Sequence, residues 1–177
     1  MKQYIPLNEV QDNLIDQLVK YKFVSRFLKS SDDILDAACN NGYGTLYLTQ
    51  FCHYITATDD NKELIETAKS KKVSNIEFVQ ASKFSDKQFD STICFNYLNK
   101  FNRNELSQFL KYLSIITKEN GFIFCSISNN KKNYSISDFR KDLDTVFTRS
   151  IVFGQIDEII GPFDYDITNE FIAICIN

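Results

Sequence analysis

Residues 33–45 read DILDAACNNGYGT. Apolar and small residues run into a polar turn at Asn40 and Asn41, and Gly42 and Gly44 follow at alternate positions. A chain with five glycines in all places two of them here, so the turn has a job to do. The run before it, DDILDAA, has strand composition. The run after it, YGTLYLTQF, is helix-like and turns Leu46 and Phe51 inward. In an open parallel sheet, ligands bind at the carboxyl ends of the strands, and the turn leaving the first strand is the usual place.

Outward from that turn, helices and strands alternate. Residues 8–29 have helical spacing, with Val10, Leu14, Leu18, Tyr21, Val24 and Leu28 on one face. YITAT is strand-like. NKELIETAKS is a helix with Asn61 as N-cap and Glu63 and Glu66 in the positive first turns. NIEFVQ and FDSTICF are strands. RNELSQFLKYLSIITKENG is the clearest helix, with an apolar stripe of Leu106, Phe109, Leu110, Leu113 and Ile116 and Gly121 as its end. GFIFCSIS is a strand, and SISDFRKDLDTVF is a helix capped by Ser135 or Ser137. RSIVFGQI and NEFIAICIN close the chain as two strands joined through Gly161-Pro162, and they should pair as a hairpin. Such alternation predicts an α/β fold, a parallel sheet with helices on both faces and one antiparallel strand. No repeat or linker divides the chain. The expectation is a single domain over 1–177, with 1–30 as an N-terminal helical cap and 31–177 as the core.

Bulk properties exclude several classes. At 177 residues, 44% hydrophobic and 24% charged, the chain is too apolar for disorder. A net charge of -3, with the basic residues scattered, gives no electrostatic reason to expect nucleic acid or an anionic membrane as partner. No apolar run approaches the ~20 residues of a membrane span, and the first residues have no apolar signal region, so the expected location is the cytoplasm. The five cysteines (Cys39, Cys52, Cys94, Cys125, Cys175) form no Cys-x-x-Cys pair, and three sit in strand-like runs, as buried hydrophobes do. His53 alone makes neither a zinc site nor a triad. No metal is expected.

The spacing of the turn separates two ligand classes. A dinucleotide loop needs Gly-x-Gly-x-x-Gly. Counted from Ala38 the third position is Tyr43, and from Gly42 it is Tyr47. Small residues fall instead at every second position: Ala38, Asn40, Gly42, Gly44. In this the sequence resembles the class I S-adenosylmethionine-dependent methyltransferases, whose loop is Asp/Glu-x-Gly-x-Gly-x-Gly. Asp36, Cys39, Gly42, Tyr43, Gly44 and Thr45 match a common version of it. Ala38 and Asn40 replace the first two glycines: alanine as a mild change, asparagine as the residue with a side chain that best tolerates a left-handed backbone.

The resemblance implies a Rossmann-like three-layer sandwich, its seven-stranded sheet in the order 3-2-1-4-5-7-6 with the last strand antiparallel. It implies S-adenosylmethionine as cofactor, held by Asp36, Ala38, Cys39, Asn40 and Gly42 of the loop. Asp59, 17 residues past Gly42, would accept hydrogen bonds from both ribose hydroxyls, with Asp60 beside it near the adenine. The family's Gly-Asp after the third strand is Ala81-Ser82 here. Ser82 is neutral, so adenine selection should weaken by something like ~1 kcal/mol. Asn96 would approach the cofactor from the tip of the fourth strand. NYLN at 96–99 lacks the prolines of DNA amino-methyltransferases. Residues 4–28 and 134–155 resemble small methyltransferases found with surface-polysaccharide enzymes, although Gln17 and Lys20 replace the usual His and Arg.

The function implied is in-line methyl transfer to a small-molecule or sugar acceptor. A general base is not evident. Tyr97 and Lys100 are the catalytic candidates, yet both are normally protonated at neutral pH. His53 falls at the wrong end of the sheet. Asp164 and Asp166 lie in a loop able to swing over the site, and the N-terminal helix and the loops near Tyr97 and Asn130 would shape the acceptor pocket. The departures at Ala38, Asn40 and Ser82 motivate the alternative of a catalytically inactive methyltransferase-fold module that binds cofactor or protein. A nucleotide-binding oxidoreductase is disfavoured by the glycine spacing. Oligomeric state is open.

Overall fold

Adjacent residues on each central strand point to opposite faces of a sheet, and here both faces are apolar. Ile34 and Leu35, Ile93 and Cys94, and Phe124 and Cys125 are all buried, one of each pair on each face. Such strands demand a layer of helices on either side. The computed structural model, which describes residues 14–81, 87–129, 135–162 and 167–177, supplies both layers.

The strands are β1 (Asp33–Ala37), β2 (Tyr54–Asp59), β3 (Ile76–Gln80), β4 (Phe89–Cys94), β5 (Thr117–Ser128), β6 (Arg149–Ile156), β7 (Ile159–Gly161) and β8 (Glu170–Ile176). Their order is β3-β2-β1-β4-β5-β8-β6-β7. Pairs among β1 to β5 are parallel, and β8 runs antiparallel between β5 and β6. Without the three-residue β7, this is the 3-2-1-4-5-7-6 order expected. The correction is the eighth strand: Ile159–Gly161 folds back on β6 in the connection read from sequence as a loop.

Helices α1 (Leu14–Val24), α2 (Tyr43–Leu48) and α3 (Lys62–Lys69) cover one face, through Tyr21, Val24, Leu48, Ile65 and Ala68. Helices α4 (Arg103–Ile116) and α5 (Ile136–Asp144) cover the other, through Leu106, Leu110, Leu113, Phe139 and Leu143. All five cysteines are free and buried in these layers. Asn61 caps α3 by accepting from Glu63 and Leu64 N–H, and Ser135 caps α5 in a reciprocal pair with Asp138. Asn102 and Glu105 form a similar capping box on α4.

Several local expectations change. Glu66 pairs with Lys69 on the surface, and only Glu63 stands in the first turn of α3. Helix α2 buries Tyr43, Gly44, Thr45 and Leu48, while Leu46, and Phe51 beyond the helix, are only half-buried. Helix α1 ends at Val24, short of residue 29, and Val10 lies outside the described residues. Gly121 does not end α4. The helix stops at Ile116 and the chain passes directly into β5. There Asn120 takes the left-handed φ of 60°, and the register shifts between Phe89 and Ser91. Gly121 packs where a Cβ would lie 2.7 Å from the Asp90 carbonyl.

Candidate functional site

The connection from β1 leads to β2 on one side, while β4 lies on the other. The strand order therefore reverses beside β1, where open α/β sheets bind ligands. The backbone of the turn there is unusual. Ala38, Asn40 and Gly42 have φ of 62°, 52° and 78°, so the three alternate positions that carry glycine in the loop pattern are all left-handed. Asparagine adopts this conformation more readily than most residues with side chains. Ala38 is more than a mild change, because its methyl group meets the following carbonyl at a cost of about 1–2 kcal/mol. The structure holds that strain in place. Cys39 N–H donates to the Thr58 carbonyl at 2.9 Å, Asn40 N–H donates to Asp59 Oδ2 at 3.0 Å, and Gly42 N–H donates to the Cys39 carbonyl at 3.0 Å.

The two glycines serve packing. A Cβ on Gly42 would lie 2.9 Å from the Phe78 ring and 3.1 Å from Ala68 Cβ. One on Gly44 would lie 2.1 Å from the ring of Tyr21. Their bareness lets α2 approach β3, α3 and α1.

Asp36 is fully buried beneath the turn. The Thr45 hydroxyl donates to its Oδ2 at 2.6 Å and the Tyr21 hydroxyl to its Oδ1 at 3.1 Å. Burial pushes its pKa up to about 7, against the two hydroxyls, which favour the ionised form, and with the Asp59 charge adding to the rise. Burial likewise pushes the Cys39 thiol up, which leaves it no nucleophilic character at neutral pH.

A cavity of about 270 Å³ opens beside the turn. Its lining combines Ala38 of the turn, Asp59 and Asp60 at the end of β2, and the rings of Tyr97, Phe109 and Tyr112. Asp59 accepts from Asn40 and Asn61 N–H through different oxygens. Asp60 accepts from Lys100 Nζ at 3.1 Å and from the Tyr97 hydroxyl at 3.4 Å. The bond from Lys100 holds the Asp60 carboxyl below its ordinary range. Burial raises Tyr97, helped by the Asp60 charge. Burial works to lower Lys100, but Asp60 outweighs it and holds that amine above its ordinary value. Both stay protonated at neutral pH, and neither supplies a base.

Of the residues expected at the site, Ala38, Asp59, Asp60 and Tyr97 meet around the cavity, and Lys100 joins them through Asp60. Cys39, Asn40 and Gly42 shape the turn without lining the cavity, and Asp36 anchors it from below. The Asn96 side chain is engaged elsewhere: its Oδ1 accepts from Lys20 Nζ at 2.7 Å. His53 sits at the amino end of β1, 2.8 Å from Asp33, at the opposite end of the sheet. Ser82, Asn130, Asp164 and Asp166 lie outside the described residues.

The reading of the sequence missed the aromatic wall. Phe109 and Tyr112 lie one turn apart on α4, in a chain of rings with Tyr97 and Phe101 at centroid distances of 4.7–6.1 Å. The available signal was the i, i+3 spacing of the aromatics Phe109 and Tyr112 along one helix. Among the described residues no cluster of three or more His, Cys, Asp or Glu is arranged to hold a metal. No described helix is long and apolar enough to cross a membrane.

A family model described as a methyltransferase domain matches residues 35–125, from β1 through β5. No curated protein is similar enough to count as a match. Among solved structures, the chain is similar to a TehB-like SAM-dependent methyltransferase from Corynebacterium glutamicum, with a TM-score of 0.75, 17% identity, and 90% of this chain and 88% of that one covered. It is similar to the N-methyltransferase NodS from Bradyrhizobium japonicum, with a TM-score of 0.69, 12% identity, and 95% and 99% covered. It is also similar to the plantazolicin methyltransferase BpumL, determined in complex with SAH, with a TM-score of 0.72, 15% identity, and 94% and 86% covered. At such identities the likeness is one of fold. The match to the family model spans just over half of the sequence, and by it this chain belongs to the methyltransferase domain family.

Proposed function

We propose that this protein transfers a methyl group in line from S-adenosylmethionine to a small-molecule or sugar acceptor. S-adenosylmethionine is the cofactor. The observation that carries the reading is the pairing of Asp59 with the left-handed turn Ala38–Asn40 at the edge of the cavity.

The residues present fit this group. Each oxygen of Asp59 accepts one backbone N–H, and a carboxylate oxygen has a second lone pair for a ribose hydroxyl. Tyr97, Phe109 and Tyr112 give the cavity an aromatic wall suited to a flat purine. Ala38 has a single methyl group, so the backbone of the turn stays open to close approach. Asp60, tied to Lys100 and Tyr97, braces the tip of β2 against the segment after β4.

The bound cofactor supplies a sulfonium methyl group that is already activated. The work left to the protein is alignment, worth on the order of 7–11 kcal/mol in favourable cases, and exclusion of water. Membership of the methyltransferase family favours the enzyme over an inactive module of the same fold. A surface-polysaccharide setting is the finer part of this proposal and rests on the resemblance of residues 4–28 and 134–155. Calorimetric titration with S-adenosylmethionine and S-adenosylhomocysteine tests the reading. Micromolar binding lost in Asp59→Ala supports it, and absence of heat with both ligands overturns it.

A further inference from the structure

A second polar centre lies at the carboxyl end of the sheet, beneath α1. Lys20 is 2% exposed there. Its ammonium donates to Asn96 Oδ1 at 2.7 Å and to Glu170 Oε2 at 2.6 Å. A buried ammonium is tenable only when paired in this way. Directly opposite Glu170, across the β6–β8 ladder, stands Gln155, 3% exposed. Its amide is locked, because Nε2 donates to the carbonyls of Asp16 and Asp157 at 3.1 and 2.8 Å. A flip would forfeit both bonds.

Two oxygens are left over. Gln155 Oε1 and Glu170 Oε1 are buried and have no hydrogen-bond partner. Each such atom costs about 1–3 kcal/mol when nothing satisfies it, and native interiors seldom keep one. Here two stand on directly opposed residues, and both are acceptors. They call for a group that brings two hydrogens.

The charges narrow its chemistry. Lys20 and Glu170 cancel, so the centre has no net attraction for a cation, and the Lys20 ammonium repels a second one. A pair of hydroxyl groups meets the need: neutral, with two donors, and with oxygens able to accept from Lys20. An ammonium has three N–H donors, and Asn96 and Glu170 take two. Asn96 is exposed at the tip of β4, and its neighbour Tyr97 lines the cavity. Glu170 keeps 13% of its side-chain surface.

We propose that Lys20, Asn96, Gln155 and Glu170 form the acceptor subsite and that it takes a polyhydroxylated, sugar-like group. Its role as acceptor subsite rests on the methyltransferase reading; its binding of a polyol does not. One hydroxyl donates to Gln155 Oε1 and a neighbouring hydroxyl to Glu170 Oε1, in competition with bridging water.

The test follows the side-chain amide signals of Gln155 and the carboxyl carbon of Glu170 by NMR. The full chain is titrated with D-glucose, myo-inositol and methylammonium, with and without S-adenosylhomocysteine. The expected result is that a polyol moves both signals and methylammonium moves neither. Gln155→Met and Glu170→Gln each weaken polyol binding roughly tenfold or more and leave S-adenosylhomocysteine binding unchanged. If neither polyol moves the signals, water alone satisfies the oxygens and the proposal is overturned. It is overturned equally if methylammonium is the ligand that moves them. Titration of the unaltered chain decides the matter even where a variant fails to fold. Polyol shifts without any binding of S-adenosylhomocysteine leave the polyol site standing and count against the methyltransferase reading instead.

Discussion

The backbone N–H of Asn40 donates to Asp59 Oδ2 at 3.0 Å, while the N–H of Asn61 donates to Oδ1 of the same carboxylate at 2.9 Å. One acid thus fixes the turn after β1 and the start of α3 at the edge of the cavity. Asp59→Asn leaves a single oxygen for two donors. The expected loss of stability is about 1–3 kcal/mol, read from urea unfolding, together with a weaker S-adenosylhomocysteine titration. An unchanged unfolding midpoint would show that the turn is held by other means.

Ala38 stands at φ 62°, where glycine is at ease. Ala38→Gly exchanges a strain of about 1–2 kcal/mol for a smaller entropic penalty of about 0.5–1 kcal/mol. A net gain of several tenths of a kcal/mol up to about 1 kcal/mol is expected, seen as a higher melting temperature. Ala38→Val, being β-branched, should do the reverse. A less stable glycine variant would contradict the assigned strain.

Gly44 lies inside α2, where alanine ordinarily gains about 1 kcal/mol over glycine. Here the added methyl group would meet the Tyr21 ring at 2.1 Å. The clash should dominate, because overpacking costs about 1–3 kcal/mol and α1 would be pushed off the Asp36 hydroxyl contact. Gly44→Ala is therefore expected to destabilise, with a changed near-ultraviolet tyrosine signal. A stabilised variant would mean that Tyr21 does not seat on the turn.

Asp36 gives stability a pH dependence of its own. Its folded pKa, raised by burial to about 7, lies above the ordinary 3.8. The folded chain keeps the proton that the unfolded chain releases. The contribution from this group is full below the unfolded value and is lost as pH rises toward about 7, reaching about 4 kcal/mol at 1.36 kcal/mol per unit. Asp36→Asn should flatten that slope and gain stability at neutral pH. Urea midpoints followed from acid to neutral pH check this, and an unchanged slope would place the titration elsewhere.

The order of the first five strands was legible because each carries a short apolar run bounded by polar turns, and the helices between them have strong stripes. The alternate spacing of residues 38, 40 and 42 was legible because backbone handedness recurs at those positions, whatever the side chain. The end of α4 was misread because a glycine usually signals a helix stop. Here Gly121 is bare to clear the Asp90 carbonyl inside β5. Strand β7 has three residues, too few for any period to register. The Lys20–Glu170 pair was hidden for another reason. Its two residues stand 150 positions apart in sequence, and only the folded sheet brings them together.

The five enclosed sulfhydryls turn the protein into its own opening gauge. Cys94, Cys125 and Cys175 have no exposed surface, so an alkylating reagent reaches them only when the sheet itself comes apart. Cys39 rides in the bend that precedes α2, so its rate of capture reports how often that bend alone breathes. A ligand seated against the bend would slow the single site and leave the three inner ones marking time with global unfolding.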